Sequence, residues 1–122
     1  MKTSELIGPT LDWAVAKCEG WELADSDKGT KNLYYKWPDG SLHVRDLWHP
    51  STNWEQGGVL IEQEKIGIGH SWDGDYWLAS SHDAKDDSLS QGPTPLIAAM
   101  RCLVASRLGD EVEIPNELQG VT

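Results

Sequence analysis

Residues 94–109 read TPLIAAMRCLVASRLG, and this stretch decides what kind of domain the chain forms. Thr94 can cap a helix, Pro95 suits its first position, and Gly109 can end it. Between them Ile97, Met100, Val104 and Leu108 trace one apolar stripe, widened by Leu96 and Leu103. Ala98, Ala99, Cys102 and Ala105 leave small side chains where another element can approach closely. Arg101 and Arg107 interrupt the pattern and need solvent or an acidic partner. Such a helix must lie on another layer, and the rest of the sequence supplies strands for it. Around Pro38-Asp39-Gly40 and Asp73-Gly74, alternating runs form two hairpins. With Asp73-Gly74 as a two-residue turn, Trp72 pairs with Asp75 and His70 with Trp77. Ile68, His70, Trp72, Trp77 and Ala79 then share the face that meets the helix.

Two further helices are expected. Leu11, Ala14, Val15 and Cys18 fall at helical spacing after the Gly8-Pro9 turn and before Gly20. In PSTNWEQGG, residues 50–58, Ser51 or Thr52 offers a cap, with Glu55 in capping-box position behind Thr52. This helix runs to about Glu64 with Trp54 mostly buried beneath it. Gly57-Gly58 would weaken its interior, so the pair marks a kink or a close backbone approach. The fold class is therefore α+β, about three helices on a small antiparallel sheet built from hairpins. Residues 1–109 form one domain and 110–122 a loosely attached acidic tail. Residues 80–92, polar and turn-rich, are expected to form a surface loop.

Twenty acidic against ten basic residues give a net charge of −10. That charge opposes the counterion release behind ordinary nucleic-acid binding and repels anionic membranes. Nucleic-acid and membrane partners are accordingly not expected, and no apolar run reaches the roughly 20 residues of a membrane span. The first residues lack a long apolar signal core, so Cys18 and Cys102 are expected to pack as small hydrophobes in a reducing cytoplasm. The four histidines do not form the close pairs of a zinc site, and DSDKG at 25–29 lacks the later ligands of a calcium loop. No nucleophile or phosphate-loop motif is present, and acid pairs such as Asp12 with Glu62 arise by chance on an acidic chain. The chain is read as non-catalytic, with no metal or cofactor.

The remaining candidate is a binding site. Two helix starts, at Ser51-Thr52 and Thr94, offer free N–H groups; Trp54 can stack on a base; Gln56, Gly57 and Arg101 complete the set. The same residues also make sense as cap, core ring and tight helix crossing.

LDWAVAKCEG (11–20), PSTNWEQGGVLIEQEKI (50–66) and GPTPLIAAMRCLVASRLGDEVEIP (92–115), in this order, resemble the NinX-like family of small bacteriophage proteins. The likeness spans nearly the whole chain; Val59 stands where relatives often carry proline. More distantly the chain is similar to the phage α-β-α sandwich domain, which implies helices packed on a small antiparallel sheet. The resemblance implies an accessory factor made in the cytoplasm of an infected bacterium, and it supplies no reaction. Two functions follow as expectations. One is capture of a small polar, nucleotide-like ligand such as a bacterial immune signal, in a homo-oligomer by analogy. The other is a module that binds and diverts a host protein.

Overall fold

The computed structural model of the chain describes residues 1–25, 33–82 and 89–118. Among these residues there are three α-helices, α1 (Gly8–Cys18), α2 (Trp54–Glu64) and α3 (Pro95–Leu108). Strands β1 (Glu22–Ala24), β2 (Tyr34–Lys36) and β3 (Leu42–Val44) form one antiparallel sheet. Strands β4 (Ile66–His70), β5 (Trp77–Ser81) and β6 (Ser90–Gly92) form a second. The fold is α+β, with two three-stranded sheets in place of the single sheet expected.

The helix α3 is the centre of this arrangement. It contacts β4, β5 and β6 as well as α1 and α2. Residues Leu96 to Met100 and Cys102 to Val104 are all buried, so the helix is apolar on more than one side, as a helix covered by two layers must be. The alanines allow the closest contact. A Cβ on Gly92 of β6 would lie 2.6 Å from the Ala98 nitrogen, so only glycine lets the strand rest on the helix backbone. Thr94 caps the helix, its Oγ1 accepting from Ile97 N at 3.1 Å. Arg107 finds its acidic partner in Glu64 at the end of α2. Lys65 then takes a left-handed conformation (φ 53°) that turns the chain into β4.

The β4–β5 register pairs His70 with Trp77, as the Asp73-Gly74 reading requires, but the turn is wider than two residues. Ser71 N donates to Tyr76 O at 2.8 Å and Gly74 N to Ser71 O at 3.0 Å, which leaves a four-residue loop, 72–75. The cause is local. The Asp73 carboxylate accepts from Ser71 Oγ (2.7 Å) and Asp75 N (3.1 Å), the short-range bonding by which Asp stabilises a turn. Trp72 consequently lies beyond the last strand pair and is fully exposed, while Ile66, Ile68, Trp77 and Ala79 join the core and His70 is exposed.

Two other expectations change. The ends of the 80–92 stretch are strand, with Leu78 opposite Gln91 and Ala79 opposite Ser90. Residues 83–88, and 26–29 of DSDKG, lie outside the described residues. The segment after Gly109 is held firmly as far as Leu118. Lys2 bridges Glu111, the Met1 ammonium donates to Val112 O at 2.9 Å, and Val112 and Leu118 are buried. Its apolar residues alternate with acids, and burying them outweighs the cost of ordering the segment. Both cysteines are free thiols, and burial pushes Cys18 up to about 12, which keeps it an unreactive thiol.

Val104 is completely buried on α3. Val104→Asp would place an unpaired charge there and is expected to abolish cooperative unfolding, checked by denaturant titration and one-dimensional NMR.

Candidate functional site

The segment PSTNWEQGG is built on Asp12 of α1. This carboxyl is buried, and its Oδ1 accepts from Ser51 N at 2.9 Å. Burial pushes its pKa above the ordinary 3.8; the Ser51 hydroxyl and N–H and the nearby His49 partly offset the shift. The hydroxyl itself makes no hydrogen bond of good geometry. Trp48 Nε1 donates to the Asp12 carbonyl at 3.1 Å, so one residue grips both ends of the turn before α2.

That grip moves the cap. Ser51 is drawn under the turn and Thr52 faces solvent, so Asn53 caps α2, its side chain accepting from Gln56 N at 3.3 Å. The cap lies one residue beyond the Ser51 or Thr52 position expected. The Gln56 side chain accepts from His49 N at 2.5 Å and donates to Leu47 O at 2.6 Å, clasping the loop to the helix. Gly57 is the close approach: a Cβ there would lie 2.4 Å from Pro50 O and 2.6 Å from Leu96 Cδ2. A Cβ on Gly58 would meet nothing within 4 Å, and α2 continues through both glycines. Trp54 is 57% exposed, contrary to the expected burial; the residue of α2 that packs against Pro50 and Leu96 is Gly57.

The starts of α2 and α3 do meet, through Gly57 and Leu96, yet most of their polar groups serve the fold. Ser51, Gln56, Gly57 and Thr94 are engaged as described, and Thr52 and Trp54 face outward. Arg101 stands apart. Its Nε donates to Leu6 O and its Nη1 to Gln91 O, both at 2.9 Å, so the guanidinium is fixed while Nη2 keeps its donors among the described residues. It lines a groove of about 970 Å³ between the N-terminal turn, β6, α3 and the start of the C-terminal segment. Lys2, Ser4, Tyr76, Gln91 and Asp110 contribute to the wall. These residues come from separate parts of the chain, and no local pattern unites them; Arg101 within an apolar stripe was the one available signal.

A second polar cluster sits on the β2–β3 hairpin. Ser41 Oγ lies 2.6 Å from Asp39 Oδ1 and 2.8 Å from His43 Nε2, and the His43 ring stacks on Trp37 with centroids 3.5 Å apart. The carboxylate meets the hydroxyl and not the imidazole, the reverse of the order in a serine nucleophile triad, so the cluster staples the turn. Among the described residues, no group of three or more His, Cys, Asp or Glu side chains converges to hold a metal, and no helix is long and apolar enough to cross a membrane.

The family model described as bacteriophage P22 NinX matches residues 2–107. The chain belongs to the NinX family. No curated protein matches it. Membership makes this NinX-family chain a phage protein and points to an accessory role; it adds no reaction. The match takes in the Asp12 anchor, the 50–58 turn and most of α3, and it stops short of Asp110 in the groove wall.

Asn53→Ala is expected to cost about 1 kcal/mol and Thr52→Ala only a few tenths, measured by denaturant unfolding. Asp12→Ala should cost about 1–3 kcal/mol by leaving a buried N–H unpaired. Asp12→Asn keeps an acceptor and removes a desolvated charge. The raised pKa means the folded wild type holds this proton more tightly than the unfolded chain, so its contribution is present below 3.8 and lost as pH rises through the folded value. Asp12→Asn should therefore match or exceed wild type at pH 7, and its advantage should shrink as pH falls through the folded value towards 3.8, in unfolding curves taken across pH.

Proposed function

We infer that this phage accessory protein is a non-catalytic binder that sequesters a small polar, nucleotide-like ligand in the Arg101 groove, in the cytoplasm of the infected host. One observation carries this reading: Arg101 is pinned by two carbonyls through Nε and Nη1 and lines a groove of about 970 Å³. A pre-fixed guanidinium binds an oxyanion with little further ordering. The volume lies near the upper end of the roughly 300–1,000 Å³ typical of small-molecule sites. Tyr76 is partly exposed in the same wall and offers a ring for stacking. A nucleotide-type immune signal is the kind of ligand whose removal would benefit a phage, and a homo-oligomer would multiply the sites; both rest on analogy.

The second reading, binding of a host protein, is favoured by a different feature. Trp72 is fully exposed on a hairpin tip whose shape is fixed by Asp73, and Trp54 is exposed on α2. Exposed, rigidly presented tryptophans serve as interface anchors.

Calorimetric titration with cyclic and ADP-ribose-type nucleotides distinguishes the two. Sequestration predicts heat with at least one of them, ligand recovered unaltered by chromatography, about tenfold weaker binding in Arg101→Lys, and no change in Trp54→Ala. Altered ligand would mean catalysis. No heat across the panel would favour the host-protein reading.

A further inference from the structure

The groove carries mixed charge, and the mixture is informative. Lys2 and Arg101 share its wall with Asp75, Asp110 and Glu111, two cations against three carboxylates. Of the donors nearby, Thr3 Oγ1 is given to Gly109 O at 2.7 Å and the Met1 ammonium donates to Val112 O at 2.9 Å, while Ser4, Tyr76, Ser90 and Gln91 bring only neutral polar side chains to the wall. Arg101 has already given Nε and Nη1 to carbonyls. Among the described residues of the wall, the positive groups left to meet an anion are the Arg101 guanidinium and the exposed Lys2 side chain, enough charge for one phosphate or carboxylate group. The carboxylates are acceptors only, and they suit hydroxyl or amino groups, as a carboxylate suits ribose hydroxyls at nucleotide sites.

We propose that this groove selects a ligand with a single anionic group accompanied by hydroxyl or amino donors, the chemistry of a nucleoside monophosphate or a zwitterion, and rejects polyphosphates. The proposal rests on the groove being the ligand site. A triphosphate would bring several further negative charges beside three carboxylates, within a screening length of about 8 Å at physiological salt. Among the described residues of the wall, no cation stands beyond the two already used by the first anionic group. Net charge reinforces the effect, since the chain as a whole carries −10.

The test uses the full chain and two probes, AMP and ATP, titrated by calorimetry at physiological salt without magnesium. AMP should bind about tenfold or more tighter than ATP. In the double variant Asp110→Asn, Glu111→Gln, whose substituted side chains are exposed, that gap should narrow severalfold, mainly through tighter ATP binding. Equal or tighter ATP binding by the wild type would overturn the proposal while leaving the groove as a ligand site. An unchanged gap in the double variant would overturn the role given to the carboxylates. Absence of binding by both probes would overturn the proposal, and the wider nucleotide panel would then decide whether the groove reading falls with it.

Discussion

A buried carboxylate holds the helices of this protein in register. Asp12 costs solvation energy in the core, and that cost is tolerable because Oδ1 accepts the Ser51 N–H at 2.9 Å. The bond fixes Pro50, whose carbonyl lies against the Gly57 backbone; Gly57 in turn touches Leu96 at the start of α3. One line of contact therefore runs from α1 through the turn and α2 to the central helix. Every step in it depends on a small or buried group, so substitution at one propagates to the next. The segment that carries the family resemblance is accordingly an architectural joint.

The same residue secures the smaller sheet. Trp48 bonds the Asp12 carbonyl and meets Trp21 edge-on at 4.5 Å; Trp21 stacks on Trp37 at 4.7 Å, and Trp37 on His43. Aromatic rings supply the packing between β1–β3 and α1 that β4–β6 obtains from α3. With Trp13 and Trp77 also in or against the core, only Trp54 and Trp72 are left mainly to solvent. The abundance of tryptophan thus has a structural cause for five of the seven, and a surface role is open to two.

The groove arises from closure of the chain on itself. Lys2 pairs with Glu111, and Thr3 N donates to Asp110 O at 2.8 Å, which brings the N-terminal turn beside the end of α3. Gln91 adds the third side through β6, and Arg101 ties that strand to the N-terminal segment by bonding Gln91 O and Leu6 O together. Binding chemistry and structural closure therefore share one guanidinium.

The sequence by itself determined α3 with its Thr94 cap, the β4–β5 register, the helix ending at Glu64 and the close approach at the glycine pair. Each follows from rules acting within a few residues: capping geometry, strand alternation and the steric freedom of glycine. Only the tertiary structure decided that Asn53 caps α2, that Trp54 and Trp72 face solvent, that Val112 and Leu118 are buried, and that Arg101 meets Lys2, Tyr76 and Asp110 in one groove. Local rules offered Ser51 or Thr52 as the cap; a carboxylate 39 residues away took Ser51, and Asn53 caps the helix instead. Competition for buried space and for a few long-range hydrogen bonds is a property of the packed chain, and no stretch of sequence contains it.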